Sequence, residues 1–256
     1  MSLQLSPQPG SARRPARVIA HARLELTMLT RNGEQLLLTG VIPLGLLLLL
    51  SLTDLIDVGG QTRGERLDVV VPSMFALAVM STSFTALAIQ TGFERRFGVL
   101  RRIGTTPLTR VDVLLGKGVA VLAVEAVQIA ALALVGWLLG WRPSPGGLAL
   151  AVPLVIVGSA ALAALALVLA GVARPEATLA IANLVYVLFL GAGVIIPLSQ
   201  LPDAAEPILR WLPGAALAEA LRSATATASV DVVLVVTLLA WGAGAALVAR
   251  RFFRWE

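Results

Sequence analysis

The sequence predicts an all-α polytopic membrane protein with six transmembrane helices. Hydrophobic residues make up 57% of the 256-residue chain and charged residues 14%, and the mean hydropathy is +0.88. Soluble domains carry nearer a quarter charged residues, because water must solvate their surface. Several apolar runs approach or exceed the roughly 20 residues that cross about 30 Å of hydrocarbon. Polar segments rich in glycine, proline and arginine separate these runs.

The apolar runs define a transmembrane domain over 35–249, between an N-terminal tail (1–34) and a basic C-terminal tail (250–256). The first run is about 18 residues long, and no A-x-A-like cleavage site follows it, so we expect a retained span rather than a signal peptide. The predicted spans are 35–53, 69–92, 112–139, 148–172, 177–197 and 230–249.

The basic residues predict the orientation of the chain. Fifteen of the twenty Lys and Arg residues fall in the two tails, around the loop after span two, or in the turn at 174–176. Because basic residues concentrate in cytoplasmic loops, we expect both termini in the cytoplasm. The net charge of +5 is therefore read as a topology signal, and no nucleic-acid partner is expected.

The segment 16–35 predicts an amphipathic helix that lies in the membrane interface. Val18, Ala22, Leu26 and Leu29 recur at helical spacing, and charged residues occupy the other positions. His21, the only histidine, stands among arginines and is expected to be a solvated surface residue.

The loop FERRFGVLRRIGTTPLTR (93–110) holds five arginines in eighteen residues. On a helix, its residues Phe93, Phe97, Leu100 and Ile103 share one side, which predicts a one-sided apolar helix ending at Gly104. Thr106 is then expected to cap the next helix, with Pro107 at its first position.

Glu125 and Gln128 fall near the middle of span three, one helical turn apart. An ionisable group at that depth is a functional candidate. It is equally a group that joins helices through hydrogen bonds, and the sequence leaves both interpretations open. No cysteine is present, and the acids Asp54, Asp57, Glu65 and Asp68 are loosely spaced, so we expect no metal site and no intramembrane catalytic centre.

The segment 196–229 is too polar and too interrupted by prolines to span a membrane, yet too apolar around Trp211 to be a free loop. Asp203 is a candidate cap for one short helix, and 212–222 predicts another, with Leu217 and Leu221 on one face. We expect two short helices that re-enter the outer leaflet.

Two sets of residues resemble the type-2 permeases of ABC exporters. The first is Glu94-Arg95-x-x-Gly98-x-Leu100, followed by Thr106-Pro107-Leu108, Arg110 and Gly116-Lys117. The second is Pro197-Leu198-Ser199, Leu201-Pro202, Pro213 and Glu219-x-Leu221-Arg222. With six spans and the interface helix, the resemblance covers nearly the whole chain and is nearest to exporters of drugs, antibiotics or lipids of the daunorubicin-resistance-like class.

The resemblance implies a non-catalytic membrane subunit that forms the substrate path as a dimer in the bacterial cytoplasmic membrane. Two separate ATPase subunits would bind ATP and Mg, since this chain has no G-x-x-x-x-G-K-[ST] phosphate loop. The alternative is a secondary transporter or channel that uses Glu125.

The resemblance also assigns roles to three groups of residues. Segment 16–33, with Val18, Ala22, Leu26 and Leu29, would be the connecting helix. The external gate hairpin would include Pro197, Leu201, Pro202, Trp211, Pro213, Glu219 and Arg222. ATPase coupling would fall to Phe93, Glu94, Arg95, Phe97, Gly98, Leu100, Arg101, Arg102, Ile103 and Pro107.

Overall fold

The computed structural model of the chain describes residues 10, 12–31, 33, 37–53, 60, 62–202 and 204–252, and these contain helices but no strand. Two regions that carried predictions, Asp203 and the Asp54–Asp57 loop, lie outside the described residues. The helices are α1 (Arg14–Arg31), α2 (Ile42–Leu52), α3 (Arg63–Arg96), α4 (Val99–Ile103), α5 (Arg110–Leu139), α6 (Pro145–Val172), α7 (Pro175–Phe189), α8 (Glu206–Leu209), α9 (Pro213–Thr227) and α10 (Val232–Phe252).

Five of the helical segments are long and apolar enough to cross a membrane, which confirms spans two to six of the prediction. They are Arg63–Arg96, Arg110–Leu139, Pro145–Val172, Pro175–Val194 and Val232–Arg251. The predicted first span is represented by a shorter apolar helix, Thr39–Leu52, in the described part of the chain.

Helix α3 forms the centre of the bundle. Its most apolar stretch is 94% buried inside the protein, whereas the corresponding stretches of the other four spans are 22 to 39% buried. Helices α2, α5, α6 and α9 all pack against it. Close approach depends on small residues: a Cβ added at Gly158 of α6 would lie 2.6 Å from the Leu217 side chain of α9.

Two turns of the bundle have sequence causes that the prediction identified in part. Arg174 precedes Pro175 at the first turn of α7, and this makes the tight α6–α7 connection that the residues 174–176 predict. Span five, however, does not continue to residue 197. A π-helical turn, Leu190–Val194, follows α7, and inside it Ala192 and Gly193 leave the helical conformation, with Gly193 at φ +88°.

Contacts between side chains and backbone identify the two ends of the bundle. At the first, which we call the α1 end, Arg95 near the end of α3 donates hydrogen bonds to the carbonyls of Gly171 and Ala173 at the α6–α7 turn. At the same end, Arg14 of α1 donates to Asp112 near the start of α5. The opposite end, which we call the hairpin end, holds the end of α2, the start of α3, the α5–α6 connection and the last turn of α9. There Arg66 donates to the carbonyl of Leu50 at 2.8 Å.

Candidate functional site

At the α1 end, α1 packs along the first half of α5 and is held there by Asp112. The Asp112 carboxylate, fully buried, accepts a 2.8 Å hydrogen bond from Arg14 Nε and lies 3.2 Å from a guanidinium nitrogen of Arg17. The same carboxylate accepts from the Thr109 backbone N–H at 3.1 Å, and Thr109 in turn caps α5. Asp112 therefore ties the start of α5 to the start of α1.

A second and deeper contact joins α1, α3 and α5; we call it the Lys117 cluster, formed by His21, Glu25, Gln90, Glu94 and Lys117. The Lys117 ammonium lies 2.9 Å from the nearer Glu25 oxygen and 2.7 Å from the nearer Glu94 oxygen. The Gln90 amide bridges the two carboxylates at 2.6 and 2.8 Å. His21, Glu25, Glu94 and Lys117 are all buried. A prediction is overturned here, because His21 is not a solvated surface residue.

Burial controls the titration of the two α1 members of the cluster. Loss of water raises the pKa of the Glu25 carboxyl, although the nearby Lys117 charge opposes that change. Burial, and then the Lys117 charge, lowers the pKa of His21, whose Nε2 lies 3.2 Å from a Glu25 oxygen. Gly116 makes room for the imidazole, since a Cβ there would lie 2.5 Å from His21 Cδ2.

Residues 93–103 do not form the single helix that their periodicity predicts. Helix α3 ends at Arg96, Gly98 takes a left-handed conformation (φ +68°), and only Val99–Ile103 forms the short helix α4. The break turns the two parts of the predicted apolar side in different directions. Leu100 is 1% exposed and packs inside the protein, whereas Phe97 is 67% exposed and stacks on Phe93 with 6.1 Å between ring centroids.

Several residues expected to face an ATPase partner are instead bonded within the chain. Glu94 belongs to the Lys117 cluster, and Arg95 satisfies the carbonyls at the end of α6. Arg96, although exposed, pairs with Glu176 in the first turn of α7. Of the other residues predicted to contact the ATPase, four are exposed at the α1 end: Phe97, Arg101, Arg102 and Pro107. Ile103 is half-buried beside them.

The start of α5 also differs from the prediction. Thr106 does not cap it; its hydroxyl donates to the Ile103 carbonyl at 2.6 Å, at the end of α4. Thr109 is the cap, and α5 begins at Arg110. Thr109 caps the helix because Asp112, three residues later, completes a capping box with it. Thr106 has no acidic residue at that spacing.

The predicted connecting-helix residues lie on the buried side of α1. Ala22 and Leu29 are buried, and Val18 and Leu26 are half-buried. His21 and Glu25 share that side, because residues four apart on a helix are neighbours.

In the middle of the bundle, α3 contains a π-helical segment, Met80–Ala86, whose hydroxyl groups bind polar side chains of α5. Ser83 donates to one oxygen of the Glu125 carboxylate at 2.5 Å, and Ser159 of α6 donates to the other. Thr82 donates to the Gln128 amide oxygen at 2.9 Å, and that amide donates to the Thr39 carbonyl at 2.7 Å. Glu125 is fully buried, and its hydrogen bonds join α3, α5 and α6.

Two apolar grooves flank α5, one beside each of these polar residues. The first, of about 370 Å³, lies between α5 and α6 and has Glu125 in its wall. The second, of about 490 Å³, lies between α5 and the α1–α2 region and has Gln128 in its wall. We call them the Glu125 groove and the Gln128 groove.

At the hairpin end, α9 descends into the bundle instead of lying on it. A Cβ at Gly214, near the N-terminus of α9, would lie 2.8 Å from the Met80 sulfur in the middle of α3. Before it, the Trp211 carbonyl accepts a 2.7 Å bond from Trp241, half-way along α10. Helix α8 is a single short turn, and α9 extends five residues beyond the predicted 222.

Arg222 of α9, which the resemblance assigns to the external gate hairpin, is buried. It donates to the carbonyls of Gly193 and Val194 and to the Ser73 hydroxyl, each at 2.9 Å. It also pairs with Glu219 at 2.6 Å. The cation therefore binds the carbonyls that the broken end of α7 leaves open. Of the other predicted hairpin residues, Pro197 and Pro213 are buried, Leu201 is half-buried, and Pro202 and Trp211 are exposed.

The arrangement of these elements agrees with a comparison against known families. A profile of the ABC-2 type transporter family matches residues 19–225, from within α1 to within α9. The chain belongs to the ABC-2 type transporter family. It is thus a multi-pass transmembrane permease domain of an ABC transporter. No curated protein matches the chain.

Sequence reasoning missed three contacts of this ABC-2 type transporter domain: the Lys117 cluster, the Asp112 contact and the role of Arg222. A signal for the first was present, since His21 and Glu25 fall on the same helical side as Ala22 and Leu29. Nothing in the sequence indicates which residues of α3 and α5 meet them, because those partners lie 65 to 92 positions away.

Proposed function

We propose that this chain is the permease subunit of an ATP-driven exporter and that separate ATPase subunits dock at its α1 end. The family membership supports a transport role, and because the given sequence holds no phosphate loop, we assign ATP hydrolysis to a partner. ATP and Mg²⁺ would then bind to that partner rather than to this chain.

The observation that carries the proposal is the exposure of Phe97. A large aromatic side chain that is 67% exposed, at a kink fixed by Gly98, is suited to fill a pocket on another protein. Arg101 and Arg102 are exposed beside it and would complement acidic groups on the ATPase. These residues form a compact surface, since α4 is only five residues long.

The proposed docking surface contains fewer residues than the sequence suggests. Glu94, Arg95 and Leu100 have partners inside the chain, so docking falls to Phe97, Arg101 and the residues around them. Both termini would be cytoplasmic, because the α1 end and the two tails hold most of the basic residues.

The test is the substitution Phe97→Asp. We expect it to abolish capture of the ATPase subunit and substrate-stimulated ATP hydrolysis, because a carboxylate replaces the aromatic group and opposes acidic partner residues. Insertion and folding should be unchanged, since the side chain is exposed. Capture is measured by tagging the chain, purifying it from native membranes in mild detergent, and identifying peptides that carry the G-x-x-x-x-G-K-[ST] sequence.

Trp211→Asp is the matched control, because Trp211 is also an exposed aromatic residue, at 54%, but lies in the hairpin segment. It should retain capture of the ATPase. Undiminished capture and transport by Phe97→Asp would refute docking at this surface.

Dimerisation is part of the same proposal, because exporter permeases of this kind enclose the substrate path between two copies. Mass measurement of the purified complex, with one or two permease chains per particle, tests it directly.

The alternative, a secondary transporter using Glu125, predicts transport by the chain alone. In the described part of the chain, the Glu125 carboxylate accepts hydrogen bonds from two serine hydroxyls, which are not proton-relay groups. Reconstitution with and without the ATPase separates the two functions.

A further inference from the structure

The two grooves beside α5 differ in one respect that concerns ligand binding. Their walls are mostly apolar, and each has a polar residue of α5, the two residues being one helical turn apart. The Gln128 amide is neutral; its oxygen accepts from Thr82 and its NH2 group donates to the Thr39 carbonyl. The Glu125 carboxylate is an acid with a neutral partner on each oxygen.

The Glu125 carboxylate has capacity for another partner. A carboxylate has about four lone-pair positions, and the two serine hydroxyls occupy two of them. Burying a carboxylate without a cation is costly, and the side chains that contact Glu125 in the described part of the chain include no lysine or arginine. A cationic ligand would provide the missing charge.

The shape of the groove defines the rest of the ligand. The groove runs from Glu125 along Ile129 and Ala133 of α5 and along Leu148, Val152 and Ile156 of α6. From Glu125 the groove extends toward the hairpin end. Its volume of about 370 Å³ lies in the range of small-molecule pockets, roughly 300–1,000 Å³. An alkyl or other apolar chain fits these walls.

We infer that the Glu125 groove is a binding site for an amphipathic amine dissolved in the membrane, with its ammonium on Glu125 and its apolar chain between α5 and α6. The amino headgroup of a bilayer lipid does not suit the site. Glu125 lies fifteen residues from the start of α5, about 22 Å along the helix, and headgroups remain at the membrane surface. The site is separate from the surface proposed for ATPase docking and does not depend on it.

The experiment uses the full chain in phosphatidylcholine nanodiscs, which contain no primary amine. The probes are dodecylamine and dodecanol, each with a photoactivatable diazirine in its chain, and labelled residues are mapped by mass spectrometry. We expect the amine to label Ile129 and Val155 of the groove, and unlabelled dodecylamine to compete. The alcohol should label these positions weakly and without competition.

Three variants locate the site. Glu125→Gln keeps the size of the side chain and removes its charge, so amine labelling should fall by about 10- to 100-fold, the effect of losing a hydrogen bond to a charged group. Val152→Phe fills the Glu125 groove and should abolish labelling. Val127→Phe makes the same change at an exposed wall residue of the Gln128 groove and should leave labelling unchanged.

Equal labelling by amine and alcohol would show that the groove takes any alkyl chain, and would overturn the inference. The same holds for undiminished labelling in Glu125→Gln. Labelling that survives Val152→Phe but disappears in Val127→Phe would place the ligand in the other groove and also refute it.

Discussion

Replacing Lys117 by methionine tests whether the Lys117 cluster holds α1 to the bundle. The ammonium lies within 3.0 Å of both Glu25 and Glu94, and all three side chains are at most 7% exposed. Without it, two buried carboxylates remain, joined only by the Gln90 amide. Removing one partner of a buried ion pair costs about 3–5 kcal/mol, so we expect Lys117→Met to lower the free energy of unfolding by that amount.

The assay is unfolding of the purified chain in mild detergent at about pH 8, followed by tryptophan fluorescence. The matched control is Arg102→Met, which removes the same charge from the same end of the bundle. Because Arg102 is exposed, that change should stay within about 0.5 kcal/mol. The difference between the two variants measures the buried interaction and cancels the effect of net charge.

A triple variant separates loss of a charge pair from loss of packing. Lys117→Met combined with Glu25→Gln and Glu94→Gln leaves no uncompensated charge, and neutral replacements of buried ion pairs are often tolerated. We expect its stability to return most of the way to that of the unsubstituted chain. If Lys117→Met is no worse than Arg102→Met, or if the triple variant is as unstable as the single one, the electrostatic reasoning is wrong.

Three further predictions use the same unfolding assay. Gly116→Ala should destabilise by about 1–3 kcal/mol because its Cβ would lie 2.5 Å from His21, whereas Gly118→Ala, with nothing within 4 Å, should be neutral or stabilising by up to about 1 kcal/mol. Burial lowers the pKa of His21, so its contribution to stability is present above about pH 6.5 and is lost on acidification; a fall from about pH 7.5 to 5.5 should therefore destabilise the unsubstituted chain more than His21→Gln. Arg222→Met should cost about 3–5 kcal/mol, and Arg222→Lys should recover only part of this, because an ammonium cannot reproduce the guanidinium fork; equal stability of the two Arg222 variants would contradict that explanation.

Hydropathy predicts the spans well because the bilayer imposes a length on any apolar helix. The helix that α3 forms confirms span two, and Arg174 and Pro175 predict the α6–α7 turn correctly. Periodicity failed in the loop 93–110, where it places Phe97 and Leu100 on one helical side. A single left-handed glycine at 98 redirects the chain, and the sequence does not show which of its glycines take that conformation.

His21 was expected in solvent because it lies in a polar segment, yet α5 packs over it at Gly116. The burial of Arg222 was likewise not predicted, because the Ser73 hydroxyl and the Gly193 and Val194 carbonyls that it binds come from residues distant in sequence. A charged residue reveals its burial only through its partners, and those partners come from tertiary packing. The amphipathic pattern predicts α1 correctly. It does not predict that Glu25, on the buried side, pairs with Lys117 of α5.

The two contacts of α1 make it move with α5 rather than independently. Asp112 binds Arg14 and Arg17, and Lys117 binds Glu25 further along both helices, so α1 is held to α5 at two separated points. Asp112 also accepts a hydrogen bond from Thr109, the residue at which the loop carrying Phe97 ends. In the proposed exporter, a force that an ATPase applies at Phe97 would therefore reach α5 along the loop, and α1 through the Asp112 and Lys117 contacts. Because Lys117 also binds Glu94 of α3, the same displacement reaches the central helix whose π-helical segment holds Glu125 and Gln128.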